Sequence, residues 1–198
     1  ARYGAAGAGT QTAGLVFGGV PATAATEEYN GSAWTAGGAL GTAKYFLAGA
    51  GTQTAALAFG GFPDSPAYNQ TFEYDGSSWT AGGNLTTGRY NLAGAGTQTA
   101  GLAFGGDDDT SPGVVAATEE YNGTAWTGGG NLGTARYELA GAGLQTAGLA
   151  FGGENTPTSE EYNGSSWTNT SSMSVARARL SGCGTQTAGL AFGGEPPA

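Results

Sequence analysis

The recurring carboxylates are the residues of this sequence with the clearest potential for chemistry. One or two of them precede a tyrosine in each of four segments, and these acids are Glu27, Glu28, Glu73, Glu119, Glu120, Glu160 and Glu161. Two carboxylates in different environments can hydrolyse a glycosidic bond. Here the same acids recur in every segment, and each segment also carries one basic residue. We therefore favour structural pairs of basic and acidic residues that join one segment to the next, with a glycosidase pair as the alternative.

Other catalytic and metal-binding groups are scarce. The chain has no histidine, which removes Ser-His-Asp catalysis and most transition-metal sites. The single cysteine, Cys183, cannot form an internal disulfide and is expected to be a small core residue. The acidic run Asp107, Asp108 and Asp109 could supply oxygen ligands to Ca²⁺, but it lacks the spacing of a calcium loop. We predict a solvated acidic loop, no catalytic residue, no metal and no cofactor.

Charge and hydropathy exclude two classes of partner. The net charge is −9 and the chain contains only six lysines and arginines. A nucleic-acid surface needs clustered basic residues, so no nucleic-acid partner is expected. No run of 18 apolar residues is present, and no membrane span is expected.

Asparagines in Asn-X-Ser/Thr sequons form a separate set of candidate sites. These glycosylation candidates are Asn30, Asn69, Asn84, Asn122, Asn163 and Asn169. Three of them, Asn30, Asn122 and Asn163, begin Asn-Gly pairs, and a role in a turn explains those three without a sugar.

A repeat of about 45 residues must position all these groups. Phe-Gly-Gly occurs at Phe17, Phe59, Phe104, Phe151 and Phe192. A basic residue stands 15 positions before each of them, at Arg2, Lys44, Arg89, Arg136 and Arg177. A tryptophan lies five residues after each repeated tyrosine, at Trp34, Trp79, Trp126 and Trp167. The constant offsets indicate one structural unit repeated along the chain.

Each unit divides into four short segments separated by turn residues, which predicts four antiparallel strands. The first is rich in Ala and Gly, the second ends at Phe-Gly-Gly, the third contains the tyrosine and the fourth the tryptophan. Asn-Gly or Asp-Gly between the last two predicts a two-residue type I′ hairpin. The fold class is therefore all-β.

This order of signals resembles the kelch repeat of β-propellers. The resemblance covers nearly the whole chain and implies four-stranded blades, with strand one nearest the axis. It also implies that the basic residues are structural, and that the four tryptophans and five phenylalanines form the core between blades. A weaker, compositional resemblance links the Gly/Ala/Thr-rich sequence to propeller proteins in the virions of environmental bacteriophages.

The units predict one domain over residues 1–198, with blades at 2–43, 44–88, 89–135 and 136–176 and a half-blade at 177–198. The half-blade has strands one and two but lacks strands three and four. We expect it to be completed by self-association or by a continuation of the chain, in a ring of five blades or as part of a larger ring.

The loops between strands two and three vary while the rest of the repeat is nearly constant. They span 20–25, 62–70, 107–117 and 154–158, and their notable residues are Phe62, Tyr68, Asp107, Asp108 and Asp109. Variable loops on a rigid scaffold commonly bind partners, so we predict any binding site there, with a glycan as one candidate ligand.

The expected function is a non-enzymatic structural or adhesive module of an extracellular or virion assembly, such as a tail, fibre or filament. The alternative is a carbohydrate- or protein-binding propeller that acts as a free, lectin-like domain. A third hypothesis, an enzyme of polysaccharide metabolism, needs an acid pair in a deep axial pocket.

Overall fold

The computed structural model describes residues 1–62, 68–111, 113–154 and 156–196, and its fold is all-β and propeller-like. Four antiparallel sheets of four strands each are followed by one sheet of two strands. This confirms the fold class predicted from the repeat, including the half-blade. The assignment of one domain with the blade boundaries given above stays a prediction. In the described parts of the chain, no helix is long and apolar enough to cross a membrane.

The strands occupy equivalent positions in successive units. The first strands are β1 (Ala6–Thr10), β5 (Ala48–Thr52), β9 (Ala93–Thr97), β13 (Ala140–Leu144) and β17 (Ala178–Gly184). The second strands are β2 (Ala13–Phe17), β6 (Ala55–Phe59), β10 (Ala100–Phe104), β14 (Ala147–Phe151) and β18 (Gly189–Glu195). The third strands are β3 (Thr26–Tyr29), β7 (Thr71–Tyr74), β11 (Thr118–Tyr121) and β15 (Ser159–Tyr162). The fourth strands are β4 (Trp34–Ala36), β8 (Trp79–Ala81), β12 (Trp126–Gly128) and β16 (Trp167–Thr170).

The first strands lie side by side around a central cavity of about 480 Å³ that all five of them line. Their alternating Ala-Gly sequence permits this close approach. A Cβ added at Gly94 would lie 2.7 Å from the ring of Phe59 and 2.9 Å from the carbonyl oxygen of Gly49 in the preceding blade. Gly49, Gly141 and Gly182 are placed in the same way against their own preceding blades. Larger side chains at these positions would force the blades apart.

The turns between strands three and four differ from the prediction. Tyr29 pairs with Trp34, so the loop contains four residues rather than two. Only Gly31 has a positive φ there, whereas a type I′ turn needs two. The side-chain oxygen of Asn30 accepts hydrogen bonds from the backbone N–H groups of Ser32 and Ala33. The two-residue hairpin prediction is therefore wrong, because the Asn side chain stabilises a wider loop.

Two of the residues predicted to lie between blades are exposed. Trp34 is 52% exposed and Phe192 is 48% exposed. The prediction that all the tryptophans and phenylalanines form the core between blades is wrong for these two. Trp34 has no blade before it in the described structure, and Phe192 has no blade after it. Each therefore lacks the partner that its internal counterparts have.

Cys183 also lies outside the core. It is exposed on β17, whereas the equivalent alanines of the three preceding units, Ala50, Ala95 and Ala142, are buried. The expectation of a core cysteine is wrong because, in the described structure, no further first strand covers β17. Gly7 at the other end is equally open: a Cβ there would meet only the Leu15 carbonyl of its own blade within 4 Å. In the described structure the first and last units do not pack together as successive units do.

Candidate functional site

Each tryptophan after the first is bound by the preceding blade. The ring centroids of Trp126 and Phe59 are 4.9 Å apart, and the indole N–H of Trp126 donates to the Thr71 hydroxyl at 2.9 Å. The equivalent contacts join Trp79 to Phe17 and Thr26, and Trp167 to Phe104 and Thr118. The aromatic contact and the indole hydrogen bond together fix the distance and the register between blades.

The tyrosines of strand three bind the same neighbouring blade. The hydroxyl of Tyr162 donates to Glu120 at 2.6 Å. Tyr74 donates in the same way to Glu28, and Tyr121 to Glu73. Burial, followed by the hydrogen bond to the carboxylate, raises the pKa of each of these three tyrosines to about 12. The glutamate directly before the tyrosine in β3, β7 and β11 is therefore an acceptor for the next blade.

A glutamine in the loop between strands one and two completes the contact between blades. The side-chain N–H₂ of Gln98 donates to the carbonyl oxygens of Ala56 and Tyr74 in the preceding blade, at 3.1 and 2.6 Å. Gln53, Gln145 and Gln186 make the equivalent pair of hydrogen bonds. Because the Gly-Leu-Gln-Thr and Gly-Thr-Gln-Thr loops share this glutamine, the contact does not depend on the residue before it.

The basic residue of each unit lies against its own blade, so the expectation that the pairs of basic and acidic residues join one unit to the next is wrong. Arg89 donates to Glu119 at 2.9 Å and to the carbonyl of Ala117 at 2.6 Å, and both charged side chains are almost fully buried. Arg136 and Glu160 form an equivalent buried pair at 2.9 Å, and Arg2 and Glu27 a more exposed pair at 2.7 Å. Burial lowers the pKa of Arg89, and the negative charge of Glu119 opposes this shift.

The two remaining basic residues have different surroundings. Lys44 is fully buried and donates to the Gly61 carbonyl at 3.4 Å. The position equivalent to Glu119 in its blade is occupied by Phe72. Arg177 lies in the half-blade, which has no third strand, and donates to the Gly193 carbonyl at 3.1 Å.

Six of the seven carboxylates that suggested a glycosidase pair are thus engaged in structural contacts, and Glu161 is the exception among the described residues. In every complete blade except the second, the first acid pairs with an arginine. In the first three blades the acid directly before the strand-three tyrosine accepts a tyrosine hydroxyl from the next blade. In the described part of the chain, no three acidic or cysteine side chains lie close enough to hold a metal ion. The arrangement favours a structural role for these acids.

The predicted loop residues form an aromatic and acidic patch on one rim. Phe62 packs against Tyr90 with ring centroids 4.1 Å apart and stacks on Tyr45 at 5.6 Å. Tyr68 is buried beneath this cluster and donates to Asp109 at 3.3 Å. The side chain of Tyr68 therefore contacts the loop and is not accessible to a ligand at the surface. The residues between Phe62 and Tyr68 lie outside the described structure.

The carboxylates of the acidic run accept hydrogen bonds from residues of their own loop. Asp107 accepts the backbone N–H of Asp109 at 2.8 Å, and Asp108 accepts both the N–H and the hydroxyl of Thr110. The hydrogen bond from the Thr110 hydroxyl is the main cause that lowers the pKa of Asp108. These carboxylates shape a loop and do not converge on one point.

A second site lies on the axis, and it was missed by the sequence reasoning. Five residues at equivalent positions, two residues after the repeated basic residue at the start of each unit, have φ between 52° and 62°: Gly4, Phe46, Asn91, Glu138 and Arg179. Each after the first donates its backbone N–H to the carbonyl of the preceding member, at 2.7 to 3.0 Å. They form a stepwise ladder of hydrogen bonds around the axis. We call this set the axial ladder.

The axial ladder surrounds a cavity of about 270 Å³, which we call the axial mouth. Phe46, Asn91, Glu138 and Arg179 line it, together with the exposed Tyr3. Arg179 donates to Glu138 at 2.8 Å and also contacts Glu195. The mouth therefore offers an aromatic surface, an amide and an ion pair.

The signal for the axial mouth was present in the sequence. The residue after the repeated pair of a basic residue and a tyrosine is Gly, Phe, Asn or Glu in the first four units, while the flanking positions barely change. A non-glycine residue with positive φ is uncommon and costs of the order of 1–2 kcal/mol. Strained residues of this kind cluster at functional sites.

The sequon asparagines lie at the periphery of the blades. Five of the six are exposed, and Asn69 is half-buried. Asn122 and Asn163, like Asn30, use their side-chain oxygen to stabilise the loop between strands three and four. The structure thus gives these three asparagines a local role in the fold.

No protein-family model matches this sequence, and no curated protein matches it either.

Proposed function

We propose that this chain is a non-enzymatic structural or adhesive module of an extracellular or virion assembly. One observation carries the proposal: at both ends of the array, residues that join successive blades elsewhere lack their partners. At one end Trp34 is exposed. At the other, β18 pairs only with β17 and Phe192 is exposed. Surfaces that are buried at three internal interfaces are thus open for association.

The engagement of the acidic residues supports a non-enzymatic role. A catalytic pair needs two carboxylates with free access to substrate and different environments. Glu119 and Glu160 are buried against arginines, and Glu73 and Glu120 accept tyrosine hydroxyls. Extracellular or virion location remains a proposal, supported by the repetitive low-charge sequence and the exposed sequons.

The experiment is to measure the mass of the protein by sedimentation over a range of concentrations, with electron microscopy of the largest species. We expect the mass to rise with concentration. Trp34→Glu should suppress the rise, because it places a charge on the open face. Leu144→Glu is the matched control, since Leu144 is equally exposed but lies elsewhere. A monomer at all concentrations would contradict the proposal.

The second candidate function is a carbohydrate- or protein-binding propeller, and the axial mouth favours it. Aromatic, amide and charged side chains meet there on a rigid ladder. A glycan array probed with monomeric protein tests this function. Phe46→Ala and Asn91→Ala should abolish any signal, whereas Trp34→Ala removes an exposed aromatic residue away from the mouth and should not. A signal unchanged in both mouth variants would place the binding site elsewhere.

A further inference from the structure

A groove lies between the fourth blade and the half-blade. At the equivalent place in the other interfaces, tyrosine and tryptophan side chains of strands three and four fill the space. The groove has a volume of about 240 Å³. Its walls include Phe151, Ser159 and Glu161 from the fourth blade and Gly189 and Ala191 from β18. We call it the half-blade groove.

The residues of this groove are equivalent to residues that have partners in every other blade. Phe151 corresponds to Phe59, which packs on the ring of Trp126. Ser159 corresponds to Thr71, which accepts the indole N–H of Trp126. Glu161 corresponds to Glu73, which accepts the hydroxyl of Tyr121.

Both missing partners would come from strands three and four of the same unit. Phe151 and Ser159 are the aromatic and hydroxyl groups that a tryptophan of strand four would contact. Glu161 is the carboxylate that a tyrosine of strand three would contact. In the described structure, Glu161 has no such hydroxyl donor.

The backbone of β18 also lacks a partner on one edge of the strand. In the complete blades, strand two is hydrogen-bonded on both sides, as β10 is to β9 and β11. β18 pairs only with β17. An open strand edge leaves a row of N–H and C=O groups that can accept a further antiparallel strand.

Arg177 adds an electrostatic requirement. Its counterparts Arg89 and Arg136 each bind the first glutamate of the third strand of their own blade. Within the described residues, Arg177 has no carboxylate partner and donates to Gly193. A third strand docked on β18 in the register of the other blades would bring a glutamate to this guanidinium.

We propose that the half-blade groove, the edge of β18 and Arg177 form a docking site for a β-hairpin with the strand-three and strand-four sequence of this repeat. The partner is a separate polypeptide segment that carries the pattern Thr-Glu-Glu-Tyr-Asn-Gly-X-X-Trp-Thr. Its first glutamate pairs with Arg177, its tyrosine with Glu161, and its tryptophan with Phe151 and Ser159. The binding mode is addition of strands to an open edge.

The same hairpin would also serve the opposite end of the array. In the internal interfaces, the glutamine of one unit donates to the carbonyl of the tyrosine in the preceding unit, as Gln98 does to Tyr74. Gln11 and Trp34 have no preceding blade in the described structure. A docked hairpin presents the tyrosine carbonyl and the threonine hydroxyl that these two residues require. This inference rests on the proposed assembly function and names the chemistry of its partner.

The experiment is titration calorimetry of the full chain with a synthetic peptide, ATEEYNGTAWTGG, which copies residues 117–129. We expect saturable 1:1 binding, a higher midpoint of thermal unfolding and a blue shift of the peptide tryptophan fluorescence. A control peptide with alanine in place of its tyrosine and tryptophan should bind at least about tenfold more weakly, because it loses the aromatic contacts that dominate such interfaces.

Protein variants test the site itself. Glu161→Gln and Arg177→Gln should each weaken peptide binding by about tenfold, the usual effect of removing a hydrogen bond that involves a charged group. Glu27→Gln is the matched control, because Glu27 is a strand-three glutamate that pairs with Arg2 of its own blade and makes none of the contacts assigned to the hairpin, and it should leave binding unchanged. Far-ultraviolet circular dichroism checks that each variant is folded.

The outcomes separate this inference from the assembly function. Absence of binding, equal binding of the two peptides, or equal binding by all variants overturns the hairpin site. A protein that self-associates but does not bind the peptide retains its assembly function and loses the docking site. Peptide binding with the expected pattern of variants supports the site whatever the mass of the free protein.

Discussion

The indole N–H of Trp126 donates a hydrogen bond to the hydroxyl of Thr71 across the boundary between two blades, at 2.9 Å. The same tryptophan packs against Phe59 of that neighbouring blade. One side chain thus joins two adjacent units through residues that are 55 positions apart in the sequence. Trp34 occupies the same position in the first blade and has neither contact, so the two residues form a matched pair for experiment.

We expect Trp126→Ala to destabilise the protein by about 3–5 kcal/mol, because it removes a buried indole and leaves a cavity between blades. Trp34→Ala should cost less than about 1 kcal/mol, since half of that side chain is already exposed. Urea unfolding of both variants measures the difference. Equal losses would show that the contact between blades contributes little.

The buried ion pairs allow a second comparison. Arg89→Ala should cost about 3–5 kcal/mol, because it leaves the Glu119 carboxylate buried without its partner. Arg2→Ala should cost no more than about 1 kcal/mol, because the carboxylate of Glu27 is half exposed to solvent. Replacing Arg89 and Glu119 together with apolar residues of similar volume should restore much of the loss. Denaturant midpoints of the single and double variants test this.

The tyrosines that form hydrogen bonds between blades should make the folded protein less stable at high pH. The pKa of Tyr74, Tyr121 and Tyr162 is about 12 in the folded protein, against about 10 in an unfolded chain. The folded state therefore holds these protons more tightly, and this contribution to stability is complete below about pH 10 and decreases as the pH rises to 12.

Ultraviolet absorbance of tyrosinate against pH, with unfolding followed in parallel, tests this prediction. Glu73→Gln should lower the pKa of Tyr121, because it removes the carboxylate that accepts its hydroxyl proton. The pKa of Tyr162, which binds Glu120, should not change and is the internal control. Tyrosines that all titrate near pH 10 in the folded protein would contradict the assigned hydrogen bonds.

Because the innermost strands are closely spaced, a single methyl group added at Gly141 should lower the stability of the protein. Gly141→Ala places a Cβ 2.5 Å from the ring of Phe104 and 2.9 Å from the Gly94 carbonyl. We expect a loss of about 1–3 kcal/mol from overpacking. Gly128→Ala is the control, because a Cβ there has no neighbour within 4 Å, and it should be neutral or slightly stabilising. Thermal unfolding of both variants provides the comparison.

The repeat spacing was enough to predict the strands, because fixed offsets and turn residues determine local structure. Exposure could not be predicted in the same way. Trp34 and Trp126 have equivalent sequence environments, and only the presence of a neighbouring blade distinguishes them. Cys183 was misplaced for the same reason. Burial in a repeat protein depends on the position of the unit in the array as well as on the residue.

The candidate site was predicted only in part. The variable loops were found because their length changes, but the burial of Tyr68 under Phe62 and Tyr90 depends on tertiary packing. The axial ladder was missed because Phe46 and Glu138 do not favour a positive φ, so the variation at their repeat position marks the place but not its backbone conformation. The interblade hydrogen bonds hold them in that conformation.

The repeated contact set has a consequence for inheritance. In the described part of the chain, the main strand contacts between blades join adjacent blades, and the internal interfaces use the same residue types at the same positions. Duplication or deletion of one whole unit would therefore leave the other interfaces intact, as in other repeat proteins. Recombination between the nearly identical coding segments could then change the length of the array in a single step without an intermediate that fails to fold.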